Sequence, residues 1–314
     1  MRILIIGAGA IGSVLGGFLA KSGHDVTLLG RAWHLDEIAR HGLRIDGIWG
    51  EHRVTALSLA TRLEDIRQSP PFDWAFICVK THGTAAATAS VGPWLDSRTR
   101  VCAFQNGLGN YDQLRKAFPA ERVALGRVIF GAELEPGRVR VTVCADDVLI
   151  GAPDPACPRQ EIVRLAAALQ ESGIPARASA EILTDLWAKV LYNCALNGLC
   201  TLLEVPYGKL LDSPRTMQLM TAIIEEAYRV AAAHRIVLRP SSASAYRDLL
   251  FARLIPDTAA HLPSMLQDIR RGKPTEIDAL NGALVRMAAA AGLKAPVNEL
   301  VTRLVKTKEK WLGR

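Results

Sequence analysis

The chain is 314 residues long, 49% hydrophobic and 22% charged, with a formal net charge of +7. That length allows one large or two ordinary domains with a substantial core, and the composition is that of a globular chain rather than a disordered or fibrous one. The positive charge is spread out, with no dense Lys/Arg run and no interleaved aromatic platform, which argues against nucleic-acid binding and favours small anions such as phosphates and carboxylates as ligands. Arg2 to Ile6 is a short, β-branched apolar run and predicts a strand buried on both faces. It ends in Gly7-Ala8-Gly9-Ala10-Ile11-Gly12, a GxGxxG, after which Ser13 to Lys21 reads as a helix and Asp25 to Leu29 as a second strand. In that strand–turn–helix context the first glycine permits the tight turn, the second lets a pyrophosphate approach the backbone, and the third lets helix and strand pack closely. The phosphates would then sit on the free N–H groups at the helix start.

Ile3 to Ala20 holds one polar residue, Ser13, and could pass for a membrane span or a leader. Its glycines at 7, 9, 12, 16 and 17, and the polar Lys21-Ser22-Gly23-His24-Asp25 that follows, argue against both. The second strand ends in Gly30-Arg31, where an acid that bound the adenosine ribose would favour NAD. An arginine fork there suits a 2′-phosphate, so NADP is the expected cofactor. Further strands are expected at Asp73 to Val79, ending in Lys80, and at Arg100 to Phe104, ending in Gln105-Asn106-Gly107-Leu108-Gly109. Ligands of open α/β sheets bind beyond the carboxyl ends of strands, which puts Lys80 and Asn106 beside a cofactor. Segments 122–130, 138–143 and 146–150 read as strands and 160–172 as a helix. Pro153, Pro155, Pro158 and Pro175 break the pattern, so a dinucleotide-binding domain is expected over 1–175 and a second domain over 176–314.

The second domain reads as all-helical: 181–203, 214–234, 241–253, 274–291 and 297–311, with 255–282 irregular. Pro274-Thr275-Glu276 looks like a helix start, with Glu276 in the first turn. The first of these helices is apolar nearly all round, as a buried helix is. Yet Lys189, Asn193 and Asn197 follow one another at four-residue intervals and so line one narrow arc. Burying such groups without partners costs roughly 1–3 kcal/mol each, and more for the charge, so the arc should face a ligand or an internal hydrogen-bond network. The seven histidines fall mostly in loops or polar contexts, with only His261 close to a candidate site residue, Ser264. The six cysteines (Cys78, Cys102, Cys144, Cys157, Cys194 and Cys200) form no CxxC and no zinc spacing, which predicts reduced thiols, a cytoplasmic protein and no metal.

Together Gly7–Gly12, Arg31, Lys80, Gln105-Asn106-Gly107, Lys189-x3-Asn193-x3-Asn197 and the run from Ser264-Met-Leu-Gln-Asp through Thr275-Glu276-Ile-Asp resemble the ketopantoate reductase family, the 2-dehydropantoate 2-reductases. The likeness spans almost the whole chain, and its last motif is the most specific. It implies a Rossmann-type doubly wound parallel sheet followed by an all-α domain, and NADPH-dependent reduction of 2-dehydropantoate to pantoate in vitamin B5 synthesis. By similarity Gly7, Ala8, Gly9, Ala10, Ile11, Gly12, Arg31, Lys80 and Asn106 contact NADP, Ala132 lies at a backbone contact, and Glu276 touches the nicotinamide end. Lys189 is implied as proton donor, with Glu276 beside it in catalysis, while Asn106, Lys189, Asn193, Asn197 and Ser264 hold the 2-oxo acid. A homodimer is allowed, and neither a membrane nor a nucleic acid is expected as partner.

One position departs from this pattern. Some members carry a substrate-binding asparagine ten residues after the second helix asparagine, where this chain has Tyr207. A paralogous reductase of another 2-oxo acid therefore stays open. β-Hydroxyacid and opine-type dehydrogenases also join a Rossmann domain to a helical one, but the β-hydroxyacid enzymes space their helix lysine and asparagine by three residues. A non-catalytic NADP sensor would have lost the lysine that is present here.

Overall fold

The computed structural model describes residues 1–66 and 70–312. The chain forms two compact units, one built from 1–105 with 110–182 and the other from 106–109 with 183–314. In chain order the first unit holds β1 (Arg2–Ile6), α1 (Ala10–Lys21), β2 (Asp25–Leu29), α2 (Ala32–His41), β3 (Leu43–Gly47), β4 (His52–Val54), β5 (Ser58–Ala60) and β6 (Trp74–Ile77). It continues with α3 (Thr84–Val91), β7 (Arg100–Ala103), α4 (Asn110–Arg115), β8 (Val123–Arg127), β9 (Phe130–Glu135), β10 (Arg138–Cys144), β11 (Val148–Gly151), α5 (Arg159–Glu171) and β12 (Ala176–Ala178).

Eight strands form one sheet in the order β12-β11-β8-β7-β6-β1-β2-β5. From β5 to β8 every pair is parallel, the doubly wound arrangement in which strand order reverses beside β1. The sheet is not parallel throughout, because β11 runs antiparallel to β8. Ile3, Leu4 and Ile5 of β1 are fully buried, as a strand covered on both faces requires.

A second, four-stranded sheet, β4-β3-β10-β9, does not follow from the sequence patterning. It corrects the expectation of one strand over 122–130: that stretch ends as β8 at Arg127, and Phe130 opens β9 in the smaller sheet. The chain leaves one sheet for the other at Val128–Ile129, and the apolar run continues through that crossing.

The helical unit holds α6 (Ile182–Leu203), whose first residue belongs to the first unit, α7 (Pro214–Ala233), α8 (Ala243–Leu249), α9 (Ser264–Arg270), α10 (Asn281–Ala290) and α11 (Pro296–Leu312). Its core gathers Leu191, Cys194, Leu196 and Cys200 of α6 with Ile223 of α7, Leu284 of α10 and Val305 of α11. Two helices differ from expectation. The segment 255–282 is not wholly irregular, since it contains α9. The helix expected from Pro274 begins only at Asn281, because Thr275 gives its N–H to the Glu309 carboxylate of α11 across 2.8 Å and its hydroxyl to the same oxygen. The chain then makes only a 3-10 turn, Ile277–Ala279, so Glu276 does not sit in the first turn of an α-helix.

Glu226 of α7 is buried and accepts from Val297 N at 2.9 Å, Asn298 N at 3.0 Å and Asn298 Nδ2 at 2.7 Å, which caps the start of α11. Asn281 completes the network by donating to Asn298 Oδ1 (2.9 Å) and to the Cys194 carbonyl of α6 (3.1 Å). Among the described residues no helix is long and apolar enough to cross a membrane, no cluster of His, Cys, Asp and Glu could hold a metal, and the six cysteines are unpaired.

Candidate active site

In the first unit the glycine loop is dictated by close packing. Gly7 has φ +102°, and a Cβ there would lie 2.8 Å from Val79 N. A Cβ on Gly12 would lie 2.2 Å from the Gly7 carbonyl oxygen, so α1 can approach β1 only without one. Gly9 is different: a Cβ there would meet nothing within 4 Å. It opens α1 with no side-chain cap and no acid in the first turn, so the helix presents its first N–H groups and positive end. This open approach at a bare helix start is what a pyrophosphate needs, and the loop fits one.

Arg31 and Lys80 follow the two strands that flank β1. Gly30 is packed against Ala8 of the loop, which brings the exposed Arg31 to the loop's edge at the start of α2. Lys80, also exposed, directly follows Cys78 and Val79, whose backbone lies against Gly7. Ala132 lies within β9, paired with Val141 and packed against the core.

His34, one turn after Arg31, is fully buried, contrary to the polar setting the sequence suggested. Its Nε2 is 3.0 Å from Ser13 Oγ in α1, and its Nδ1 is 3.1 Å from Gly137 N and 3.2 Å from Glu135 O. Burial pushes its pKa down, so the neutral ring ties α2 to the helix that follows the glycine loop.

In the helical unit the chain excursion 106–109 supplies one site residue to two others. Gln105 and Asn110, at its two ends, both hydrogen-bond Thr84 in the first unit. Between them Gly107 has φ +83° and sits so close to Ala279 that no side chain fits, while Leu108 N donates to the Ala279 carbonyl at 2.9 Å. Asn106 is thereby seated on the turn that follows Glu276. Lys189 Nζ donates to Asn106 Oδ1 at 2.5 Å, and Asn106 Nδ2 donates to Glu276 Oε2 at 3.0 Å. An ammonium only donates and a carboxylate only accepts, so these two neighbours fix which way the amide faces.

The rest of the arc behaves differently along its length. Asn193 is half-buried, and Ser264 is the exposed first residue of α9. Asn197 is only 5% exposed, and its Oδ1 accepts from the Tyr207 hydroxyl at 2.6 Å. The polarity of the helix is thus answered inside the unit at both ends, by Asn106 and by Tyr207. The Thr275-Glu276-Ile277-Asp278 motif divides too. Thr275 binds Glu309 and Asp278 pairs with Lys306 at 3.0 Å, while Glu276 turns to Asn106. Glu309 and Tyr207 were not visible as partners in the sequence, since only the fold brings them to Thr275 and Asn197.

A doubly wound unit with an open glycine loop, joined to a helical unit presenting a lysine, a carboxamide and a carboxylate in one hydrogen-bonded row, defines a nicotinamide-dependent oxidoreductase. The chain belongs to the ketopantoate reductase family. Residues 3–155 match the family described as ketopantoate reductase PanE/ApbA, and residues 181–309 match its C-terminal counterpart. The chain is 38% identical to a 2-dehydropantoate 2-reductase of Aquifex aeolicus, over 98% of this chain and 97% of that one. Among solved structures it resembles a PanE/ApbA family ketopantoate reductase from Ralstonia eutropha JMP134 (TM-score 0.89, 31% identity, all of both chains). It also resembles a D-mandelate dehydrogenase solved with NADH and anilino(oxo)acetate (TM-score 0.88, 30% identity, 99% of each chain).

Proposed function

We propose that the enzyme reduces 2-dehydropantoate to pantoate with NADPH, the reductive step of pantothenate synthesis. The observation that carries this reading is the row Lys189–Asn106–Glu276, in which an ammonium stands on a polar arc of an otherwise apolar helix. The reduced nicotinamide, when bound, supplies the hydride to the ketone carbon. The ketone oxygen then needs a fixed cation and a proton, and Lys189 provides both. Asn106 holds the ammonium by accepting from it, and Glu276 holds Asn106 by accepting from its amide N–H. Asn193, Asn197 and Ser264 provide neutral hydrogen-bonding groups for the 2-oxo acid.

For the cofactor, the backbone from Gly7 through Ala8, Gly9, Ala10 and Ile11 to Gly12 takes the pyrophosphate. Arg31 takes the adenosine 2′-phosphate, Lys80 and Asn106 border the bound dinucleotide, and Glu276 lies at its nicotinamide end. A backbone contact near Ala132 rests on the family likeness. Unpaired thiols fit a cytoplasmic enzyme.

A second reading, reduction of a different 2-oxo acid, is favoured by one observation: Tyr207 stands against Asn197 in the substrate arc. The likeness to a D-mandelate dehydrogenase solved with NADH points the same way for both substrate and cofactor. A panel of 2-oxo acids, 2-dehydropantoate included, assayed with NADPH and with NADH decides between them. The expected result is highest kcat/KM for 2-dehydropantoate with NADPH. A markedly better acid would move the assignment to that substrate, and a preference for NADH would overturn the cofactor.

A further inference from the structure

We propose that Asn281 is a positioning residue for proton transfer, fastening the turn that carries Glu276 and seats Asn106 to α6, the helix that carries Lys189. The inference rests on the reductase reading above and adds to it a residue outside the reactive row.

Asn281 opens α10 and is fully buried. Its Nδ2 donates to the Cys194 carbonyl of α6 at 3.1 Å and to Asn298 Oδ1 at 2.9 Å. Both neighbours can only accept. One is a peptide carbonyl, and the Asn298 amide is turned by Glu226, whose Oε2 takes the Asn298 backbone N–H at 3.0 Å and its Nδ2 at 2.7 Å. Asn281 must therefore direct both N–H donors this way and its Oδ1 the other way, toward Gly198. There Oδ1 is buried with no hydrogen-bond partner among the described residues. A side chain at 198 cannot supply one, because even a Cβ would lie 2.4 Å from Val301 Cγ1. A buried acceptor left unpaired costs free energy, so asparagine is a poor choice here for stability alone.

What the side chain provides is a fixed relation between two elements of the reactive row. The 3-10 turn Ile277–Ala279 separates Glu276 from Leu280 and Asn281. It is closed by Ala279 N on the Glu276 carbonyl at 3.0 Å and by Leu280 N on the Ile277 carbonyl at 3.2 Å. The Ala279 carbonyl receives Leu108 N and so seats Asn106. On α6, Cys194 directly follows Asn193 and stands little more than one turn beyond Lys189. The bonds of Thr275 to Glu309 and of Asp278 to Lys306 hold the turn to α11, whereas Asn281 holds it to the lysine's own helix. A misplacement of about 1 Å in a reacting constellation can cost about a hundredfold in rate, so this tie bears on turnover.

The test is Asn281→Ala, alone and combined with Lys189→Ala, assayed on the best 2-oxo acid of the wild type. Turnover is expressed per NADPH-binding site, so that any misfolded fraction cancels. The truncation removes one unpaired acceptor and creates another at Asn298 Oδ1, so the variant should still fold. We expect kcat to fall about tenfold or more while KM for the acid changes by less than about threefold. In the Lys189→Ala background the same truncation should cost less than about threefold, since no proton donor is left to place. An unchanged kcat overturns the inference. So does an equal loss in both backgrounds, which is what a purely structural role would give. Asn281→Ser, which keeps one donor, serves with the same expectations where the alanine variant does not fold. If neither folds, the side chain serves stability and the inference fails. A wild type that reduces no 2-oxo acid, or a Lys189→Ala protein of near-normal turnover, overturns the reductase reading itself, and this inference with it.

Discussion

Lys189 and Asn106 lie 83 positions apart, yet the lysine ammonium donates to the asparagine carbonyl oxygen across 2.5 Å. The contact exists because the chain leaves the first unit after Gln105, sets Gly107 and Leu108 against Ala279, and returns at Asn110. Asn106 is therefore rigidly placed against α6, and its other amide end is fixed on Glu276. A lysine held in this way presents its remaining protons in set directions, which is what a general acid requires.

If Lys189 is that acid, Lys189→Ala lowers turnover by about 10²–10⁴ while leaving NADPH affinity close to wild type. Steady-state rates, together with a fluorescence titration of NADPH, separate the two effects. Near-normal turnover in the variant would remove Lys189 from the mechanism.

Arg31 governs cofactor choice in the proposed function. It stands exposed at the start of α2, beside a glycine loop that contributes no side-chain charge of its own. Losing one charge-assisted phosphate contact typically costs about 1.5–3 kcal/mol, roughly a tenfold to hundredfold change in affinity. Arg31→Ala is expected to raise KM for NADPH by that factor and to leave NADH use nearly unaltered. An equal loss with both cofactors would show that Arg31 does not read the 2′-phosphate.

The glycines of the loop separate stability from binding. In Gly12→Ala the new methyl falls 2.2 Å from the Gly7 carbonyl and 2.9 Å from Ile5 Cγ2, and neither the backbone nor a fully buried isoleucine can retreat cheaply. Overpacking of this kind costs about 1–3 kcal/mol, so the first unit should melt several degrees earlier. Gly9→Ala meets open space, and its φ of −83° suits alanine, so its Tm should hold. Dinucleotide affinity should nevertheless fall, because the methyl points to where the pyrophosphate approaches. A Gly9→Ala protein with unchanged affinity in a calorimetric titration would place the phosphates elsewhere.

Legibility in the sequence followed the range of the interactions. The strand–loop–helix of 2–21 was readable because its glycines, its β-branched run and its helix are contiguous. The Lys189–Asn193–Asn197 arc was readable because helical periodicity is local. The smaller sheet was not, since β10 pairs with β3 across the whole dinucleotide unit, as Arg138 with Arg44. Nothing at Val128–Ile129 marks a change of sheet, so 122–130 looked like one strand. Glu276 was recognisable as a residue of interest, but its setting was misread because Pro274 is as common at a helix start as before a turn. What decided it was Glu309, an acid on the last helix. The burial of His34 was not legible because its partners, Ser13 and the 135–137 turn, are brought to it only by the folded chain.

That buried histidine also gives the first unit an acid sensitivity of definite sign. Burial holds the His34 pKa below its ordinary value of 6.5, so the folded ring resists protonation that the unfolded chain accepts. Stability from this site is complete above the unfolded value, falls as pH drops below about 6.5, and levels off once the folded pKa is passed. The slope in that window reaches at most about 1.4 kcal/mol per pH unit for one proton. His24, also lowered by burial and by the nearby N-terminal amine, adds a contribution of the same sign. Carboxylates such as Asp46, held low by the Arg138 guanidinium, act only at more acidic pH and leave the window to the histidines. His34→Gln removes one of the three histidines whose pKa burial lowers, the others being His24 and His261, so its Tm should change less between about pH 7 and pH 5 than that of the wild type, even if the variant is less stable throughout. Parallel melting curves across that range would mean that His34 is not the group being protonated.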